Sequence, residues 1–487
     1  MIDRDALIAT TILVPAAMSV LLWCLPRRWA APAALTGAIA TGGLAITVAT
    51  LALTDPTHPR TGTWIVLDTA GGLLVAVVGV VGLISVLISP AYLNTPQPTP
   101  ANNHRRATTY FAVLYAFWAT LLAVHLAGNL GAAWLLIEAT TAASALLVGF
   151  SRKPRALEAG WKYLILTSLG LGIALLGIAI LAAGIPGGGL GGLSWQALPT
   201  YTAGHPSALV AYLLILAGLA AKIGWAPVHN WLPDAHAEAP APVSALLSAA
   251  LLPTVLLVAW RCEQGLAPVV GATTTHGVLI TFGLASVAVS VPFLSRPQAW
   301  KRLLAYSSLE HMGVIALGIG FATPLAMAGV AIHITAHAIA KTLGFTAVTP
   351  LLAHEPNAAR HPVTGIGRTQ PVLGATIALC LGTLSGLPPS PLFASELLII
   401  AGGFQSGHPW AAAAATGLLA LAFLGLTHAL LETTMGETTD RDRTRPAGLT
   451  GVTTLTIVSM VLLLTLTAAA VWLPATDLVA ALMKGPR

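Results

Sequence analysis

Three lysines stand in stretches of the sequence that hold almost no other charge. Lys162 lies at the start of an apolar segment, and Lys222 and Lys341 lie inside such segments. The chain otherwise favours arginine, with seventeen arginines against six lysines. Because arginine stays protonated whereas a buried lysine can lose its proton, these lysines indicate groups that load and release protons. The alternative is a lysine that reaches out to the membrane interface, and it applies most to Lys162.

One carboxylate, Glu138, is equally isolated. It lies in AAWLLIEATTAASALLVGF, with no other charged residue for more than ten positions on either side. A carboxylate in the middle of a membrane costs about 3 kcal/mol unless it is paired or protonated. We predict that Lys222 is its partner, and that opening and closing the pair changes the proton affinity of the lysine. A permanent structural ion pair is the alternative.

A row of titratable side chains lies in the segment AIHITAHAIAKTLGF. His333, His337 and Lys341 follow one another at intervals of four residues, so they share one face of a helix. Imidazole titrates near neutral pH and can both donate and accept, so the row is predicted to be a proton wire, with Glu396 as its outlet. Metal binding by the histidine pair is less favoured, because no nearby acidic residue or cysteine completes a site.

Two further groups of titratable residues accompany these candidates. Glu310 and His311 lie deeper in an apolar segment than an ordinary loop charge. Asp234, His236 and Glu238 are predicted at the cytoplasmic mouth, where they serve either proton entry or plain interface chemistry.

The elements that must position these residues are membrane-spanning helices. The 487 residues are 56% hydrophobic and 8% charged, whereas soluble domains carry about 25% charged residues. Apolar runs of about 20 residues, enough for one helical crossing, follow one another along the chain without the alternation of a barrel. We therefore predict an all-α integral membrane protein of about fourteen helices. The predicted spans are 6–25, 31–53, 69–92, 109–127, 129–150, 161–184, 208–226, 242–260, 273–294, 303–320, 323–351, 371–400, 409–431 and 450–473.

No cofactor site is predicted. Cys24, Cys262 and Cys380 are too far apart for metal-spaced pairs, and the sequence has no phosphate loop, dinucleotide fingerprint or iron–sulfur cysteine run. The net charge of +6 is spread over loops, so nucleic acid is not an expected partner.

Loop charge predicts the orientation in the membrane, because cytoplasmic loops collect lysine and arginine. Loops after odd-numbered helices hold fifteen such residues, and the opposite side holds five, including Arg60 and Arg261 in loops. Both termini are therefore predicted to lie outside, with the first helix retained rather than cleaved as a signal peptide. The fifteen are Arg27, Arg28, Arg105, Arg106, Arg152, Lys153, Arg155, Arg296, Lys301, Arg302, Arg360, Arg368, Arg441, Arg443 and Arg445.

Two predicted spans are broken by prolines. Predicted helix 7 runs into KIGWAPVHNWLPDAHAEAPAP, and predicted helix 12 contains GLPPSPLFASELLII. Non-helical backbone at membrane depth is tolerated only inside protein or along a wet cavity, and matched breaks point to an ion path. They suggest helices 1–3 in 1–108, two five-helix repeats in 109–260 and 261–435, and helix 14 with the C-terminus in 436–487.

Three stretches resemble the proton-translocating antiporter-like family, which includes the large membrane subunits of complex I and of Mrp antiporters. They are WAPVHNWLPDAHAEAPAPVSALLSAALL, KRLLAYSSLEHMGVIALGIG and GLPPSPLFASELLII. The last two are most similar to the hydrogenase-4/formate hydrogenlyase membrane subunit of the component F type. The resemblance covers most of the chain and implies fourteen helices with inverted five-helix repeats.

The resemblance also implies roles for residues and one departure. Glu138 and Lys222 match the family's helix-5/helix-7 pair, and Glu396 matches its helix-12 exit residue. The row of His333, His337 and Lys341 matches the central path on helix 11. The family often has Lys or His on helix 8, where this chain has Ser248 and Pro253. Either water and hydroxyls bridge that position, or transfer is impaired.

The expected function is that of an antiporter-like, proton-translocating subunit of a hydrogenase-4-type or complex I-like redox complex in the bacterial cytoplasmic membrane. Its expected partners are other membrane subunits and a peripheral redox arm, and the transported ion is the proton or sodium. The alternatives are an Mrp-like antiporter or an inorganic-carbon transporter subunit without redox partners, and a non-pumping scaffold.

Overall fold

A computed structural model describes residues 4–56, 59–94, 106–184, 190–200, 206–437, 449–470 and 477–485, which are predominantly helical. The chain forms two compact units. Unit 1 comprises Met1–Ile223, Glu238–Thr275 and Ala480–Arg487, and unit 2 comprises Gly224–Ala237 and His276–Val479. Some arginines used to predict the orientation lie outside the described residues: Arg105, Arg441, Arg443, Arg445 and Arg487.

Unit 1 is built from long apolar helices whose first turns are capped by polar side chains. Asp68 and Asn129 accept hydrogen bonds from the backbone N–H groups of Gly71 and Ala132, which have no partner within the helix. Isolated antiparallel β-bridges join the backbone of Arg60 with Leu67, of Ile65 with Ala127, and of Asn129 with Ser194. The helices are α1 (Arg4–Cys24), α2 (Arg27–Thr54), α3 (Thr69–Leu93), α4 (Arg106–Leu126), α5 (Leu130–Val148), α6 (Pro154–Ala183), α7 (Pro206–Ile223), α8 (Trp231–Glu238, mostly in unit 2), α9 (Ala241–Leu246), a π-helical segment (Leu247–Leu251) and α10 (Leu252–Val270), with 3₁₀ turns at Gly149–Ser151, Leu190–Leu193 and Leu198–Thr200.

Unit 2 places its most polar helices at its centre. Every residue of α12 from Leu303 to Phe321 is buried, so Glu310 and His311 face protein. Thr323 and Ser390 cap the helices that carry His333 and Glu396. The helices are α11 (Ala272–Leu294), α12 (Trp300–Phe321), α13 (Pro324–Thr346), α14 (Val348–His354), α15 (Ile366–Thr369), α16 (Pro371–Leu384), α17 (Pro391–Gln405), α18 (Pro409–Met435) and α19 (Leu449–Ala469), with a 3₁₀ turn at Pro356–Ala359; α20 (Asp477–Lys484) follows.

The membrane character predicted from composition is confirmed. Among the described residues, twelve helices are long and apolar enough to cross a membrane. Three shorter apolar helices, Ser207–Ile223, Pro371–Leu384 and Pro391–Gln405, adjoin the two predicted breaks. The total of fourteen, the inverted repeats and their boundaries stay predictions.

Each break contains a glycine within two residues of the preceding helix. Gly224 ends α7 with φ 81°, and Gly386 follows α16 with φ 71°. Only glycine adopts this left-handed backbone without strain, and it is a common way to end a helix. The helix resumes at Trp231 in the first break and at Pro391 in the second. The breaks predicted from the proline-rich segments are therefore present.

The assignment of Arg261 to an outer loop is wrong. The predicted helix 242–260 continues to Val270, so Arg261 lies inside α10 with 1% of its surface exposed. Its Nη2 atom lies 2.7 Å from Oδ1 of Asp68. A buried charge needs such a partner, and a partner 193 residues earlier in the sequence is not visible to a count of loop charges.

Candidate functional site

Lys222 is the centre of a buried cluster in unit 1. It occupies the last turn of α7, has no exposed surface and donates from Nζ to the hydroxyl of Thr141 at 2.8 Å. It also contacts the hydroxyl of Tyr163, which in turn shares a hydrogen bond of 2.7 Å with Ser144. We call Lys222, Thr141, Tyr163 and Ser144 the Lys222 cluster. Its members other than the lysine are neutral hydroxyls.

Glu138 lies one helical turn before Thr141 on α5. Its Oε1 atom accepts a hydrogen bond of 2.7 Å from Ser168, and its buried Oε2 atom has no hydrogen-bond partner among the described residues. The hydrogen bonds of Lys222 therefore go to hydroxyls rather than directly to the carboxylate. Residues three apart share a helix face, so Glu138 and the Lys222 cluster are neighbours. The opening and closing of a Glu138–Lys222 pair stays a prediction.

Lys162 does not join this cluster. It lies on the exposed face of α6, where its Nζ atom is 2.6 Å from the carboxylate of Glu158, one turn earlier. Its side chain is 49% exposed. This placement fits the snorkelling alternative better than a buried proton carrier.

Ser248 lies in the π-helical segment Leu247–Leu251, and both it and Pro253 are buried. A proline ring clashes with the carbonyl four residues earlier, here that of Ala249, so Pro253 gives a physical reason for the widened turn. π-bulges recur at functional sites. Ser248, which stands where the family often has a titratable residue, thus lies in an irregular stretch of backbone. A proline inside an apolar span is the sequence signal for such an irregularity.

Lys341 is the buried lysine of unit 2. It has no exposed surface, and its Nζ atom donates to the carbonyl of Leu304 at 2.6 Å and contacts the hydroxyl of Ser307. Both partners come from α12. As at Lys222, the partners are neutral oxygen atoms.

The predicted row on α13 is buried throughout, but its first hydrogen bonds lead to other helices. His333 Nε2 lies 3.0 Å from Nδ1 of His311 on α12, and its Nδ1 lies 2.9 Å from the hydroxyl of Ser395 on α17. The ring of His337 is centred 5.2 Å from that of His311, and its nitrogens have no hydrogen-bond partner in the described part of the chain. We call His311, His333, His337 and Ser395 the histidine cluster. His311, noted only for its depth, is therefore a central member.

Two carboxylates accompany the histidine cluster. Glu396 directly follows Ser395, and its Oε2 atom lies against Gly386, where an added Cβ would come within 2.8 Å of it. Glu310 is 3% exposed, and its Oε2 atom lacks a hydrogen-bond partner among the described residues. The depth predicted for Glu310 and His311 is thus confirmed.

The predicted cytoplasmic-mouth residues are placed differently from one another. His236 is fully buried and its Nδ1 lies 2.8 Å from the carbonyl of Leu232. Asp234 pairs with Arg302 at the start of α12. Glu238 is half-buried.

Unit 1 also contains a buried polar cluster that was not predicted from the sequence. Arg261 donates to Asp68 and, at 3.0 Å, to the carbonyl of His125. The Nε and Nη1 atoms of Arg261 and both ring nitrogens of His125 are buried without hydrogen-bond partners in the described residues. A single Asp before an apolar run, typical of a helix cap, was the available signal.

The profile of one family matches more than half of the chain. It is described as NADH:quinone oxidoreductase/Mrp antiporter, TM, and it matches residues 127–423, which include all of the predicted proton-path residues. The chain belongs to this family.

Relatives of this antiporter-like chain include a hydrogenase-4 component F homolog of Methylacidiphilum infernorum. The two are 32% identical over 74% of this chain and 76% of the relative. A chain of the membrane-bound sulfane sulfur reductase, an archaeal respiratory membrane complex, superposes with a TM-score of 0.85 at 20% identity, covering 98% of this chain and 97% of that one. A chain of the Mrp complex from Dietzia sp. gives 0.80 at 20% identity, covering 99% and 100%. The two superpositions show the shared fold.

Proposed function

We propose that the chain is a proton-translocating membrane subunit of a redox complex of the hydrogenase-4 or complex I type. One observation carries the proposal: each unit contains a lysine that is completely buried and whose hydrogen bonds go to neutral oxygen atoms. A structural lysine at such depth would be expected to hold a carboxylate in a direct ion pair. A lysine solvated by hydroxyls and a carbonyl is instead suited to exist both with and without its proton.

The surrounding groups support proton exchange with these lysines. Glu138 keeps one carboxylate oxygen without a hydrogen-bond partner in the described residues, one turn from the Lys222 cluster. Histidines 311, 333 and 337 lie close together in unit 2, and imidazole can accept a proton on one nitrogen while donating from the other. In this proposal Glu396 is the outlet, and Ser248 acts through its hydroxyl or through water.

The partners in this proposal are other membrane subunits and a peripheral redox arm, located at a bacterial cytoplasmic membrane with both termini outside. The hydrogenase-4 name of the relative supports a redox partner. Translocation against a gradient requires an energy source, and electron transfer in partner subunits would supply it. The proton is the proposed ion because the buried groups are lysine and histidine, and sodium is the alternative.

The test is substrate-driven proton uptake by vesicles that contain the purified native complex. Lys222→Arg and Lys341→Arg keep the positive charge but cannot release the proton, so we expect uptake to fall at least about tenfold. Lys162→Arg is the matched control, because Lys162 lies on the exposed face of α6. This variant should retain uptake. Normal uptake by both buried-site variants in an intact complex would mean that these lysines are structural and that the chain acts as a scaffold.

A second candidate function is that of an Mrp-like cation/proton antiporter or an inorganic-carbon transporter subunit. The likeness to a chain of the Mrp complex is the observation that keeps it open. The native complex separates the two functions by its composition. Co-purification with nickel or iron–sulfur subunits supports the redox complex, and a complex of membrane subunits alone supports the antiporter.

A further inference from the structure

Three ligand-bearing side chains from three helices converge in unit 2. They are His311 of α12, His333 of α13 and Glu396 of α17, and one ligand atom from each lies within 4.8 Å of the other two. His311 and His333 are completely buried, and their facing nitrogens are 3.0 Å apart. We call these three residues the His–His–Glu triangle. They are far apart in sequence, so the sequence pattern alone does not reveal it.

The donor set fits a particular class of metal ion. Two imidazole nitrogens and one carboxylate oxygen, with a fourth position open, are typical of non-structural zinc sites. Zn–N bonds of about 2.0–2.1 Å in a tetrahedron place the ligand atoms roughly 3.3 Å apart. The two imidazole nitrogens, 3.0 Å apart, already lie close to this separation, and the carboxylate oxygen lies within 4.8 Å of both imidazoles' ligand atoms.

The surroundings of the triangle hold its ligands in place. The second ring nitrogen of His333 bonds to Ser395, which aims the other nitrogen at His311. A metal-bound histidine usually has such a partner, because it fixes the ring orientation and the tautomer. On the opposite side, the Glu396 carboxylate rests against Gly386, a position without a side chain.

We propose that His311, His333 and Glu396 form a binding site for a divalent transition-metal ion, with zinc as the best match. The sequence indicated only the pair His333 and His337 as a possible metal site, and no nearby acidic residue completes that pair. The structure supplies the acid from α17 and the second imidazole from α12 instead. Binding itself does not depend on the proposed function. A block of proton movement does rest on it, because the metal would occupy the nitrogens that otherwise share a hydrogen bond.

The test measures zinc taken up by the purified native complex after treatment with a chelator. Zn²⁺ alone is the probe, and wild type is compared with His311→Ala and with the isosteric Glu396→Gln. We expect wild type to bind one more zinc ion per complex than either variant. Ser395→Ala removes only the support of His333 and should weaken binding by roughly tenfold. His337→Ala is the matched control, since His337 is equally buried on the same helix, and it should bind like wild type.

The outcomes separate the site from its consequence. Equal zinc uptake by wild type and both ligand variants overturns the site. Loss of zinc in His337→Ala overturns the proposed ligand set. X-ray absorption at the zinc edge, taken as the difference between wild type and Glu396→Gln, should show two imidazoles. Zinc that binds as proposed but leaves proton uptake unchanged supports the site and counts against the proposed proton function. If zinc does not bind, the site is wrong, and the proposed proton function is then tested only by the Lys222→Arg and Lys341→Arg variants.

Discussion

Ser395 of α17 is hydrogen-bonded to the ring of His333 on α13. The serine oxygen lies 2.9 Å from Nδ1 of His333 and 2.7 Å from the carbonyl oxygen of Leu392, so it joins the imidazole to the backbone of α17. A neutral imidazole has one donor and one acceptor nitrogen, so the role of Nδ1 towards Ser395 sets the opposite role for Nε2. That Nε2 atom lies 3.0 Å from Nδ1 of His311. Ser395 therefore orients the ring that His333 presents to His311.

The first prediction concerns this orientation. Ser395→Ala removes the hydrogen-bond partner of His333 Nδ1, so the ring is no longer held in one orientation and the hydrogen bond to His311 is lost part of the time. A hydrogen bond is worth about 1 kcal/mol, so we expect substrate-driven proton uptake to fall by roughly fivefold. Ser395→Thr keeps the hydroxyl and should restore uptake. If threonine and alanine behave alike in complexes of equal yield, the hydroxyl does not orient His333.

The second prediction concerns the partners of Lys222. Tyr163→Phe deletes the hydroxyl that contacts Lys222 and leaves the lysine its hydrogen bond to Thr141 within the Lys222 cluster. Loss of one hydrogen bond to a buried charged group costs about 1–3 kcal/mol, so uptake should fall clearly while the complex still assembles. Tyr212→Phe is a matched control: this buried tyrosine of the same unit bonds to the carbonyl of Thr275 instead. Equal loss of uptake in the two variants would show that the effect of Tyr163→Phe does not come from its contact with Lys222.

The third prediction concerns the break before α17. Gly386→Ala places a Cβ within 2.8 Å of the Glu396 carboxylate on a backbone with φ 71°. A left-handed conformation costs a residue with a side chain roughly 1–2 kcal/mol, and the carboxylate must move as well. We therefore expect a loss of uptake similar to that of Glu396→Gln. Gly382→Ala is the matched control: it lies in the helical part of α16, its added Cβ would come no closer than 3.9 Å to the side chain of Leu387, and it should leave uptake unchanged.

The placement of the site could be predicted from the sequence where a charge stands alone in an apolar segment. Lys222, Lys341 and His333 are fully buried, and the proline-rich segments mark real breaks. Partners on other helices could not be predicted, because the spacing within one helix says nothing about which helices meet. The contacts of Lys222 with Thr141 and of His333 with His311 are of this kind.

The wrong placement of Arg261 has the same cause, a partner that is distant in the sequence. Arg261 looks like a loop charge because its neighbours Glu263 and Gln264 are also polar, yet Asp68 compensates it inside the protein. A polar stretch at the end of an apolar run is ambiguous until its tertiary partners are known. At Lys162 the sequence left two interpretations, a proton carrier or a lysine that reaches the membrane interface, and the side chain lies on the exposed face of α6 beside Glu158.

The last prediction tests the buried Asp68–Arg261 pair. Asp68→Asn removes the carboxylate that accepts from the Arg261 guanidinium and leaves a buried positive charge whose Nε and Nη1 atoms already lack partners in the described residues. Removing one partner of a buried pair costs about 3–5 kcal/mol, so the variant complex should unfold at a clearly lower temperature or fail to accumulate.

Asp5→Asn is the matched control, because Asp5 also pairs with an arginine, Arg60, but both side chains are about half exposed, at 52% and 49%. An exposed pair contributes only about 0–1 kcal/mol, so this change should leave the unfolding temperature nearly unaltered. Measuring both variants in the same thermal assay isolates the effect of burial. A double change, Asp68→Asn with Arg261→Met, removes the stranded charge and should recover part of the lost stability. The cap of α3 is kept in both variants, because the asparagine oxygen can still accept the hydrogen bond of 2.9 Å from the Gly71 N–H. No recovery would therefore mean that the stranded charge of Arg261 is not the cause of the lost stability.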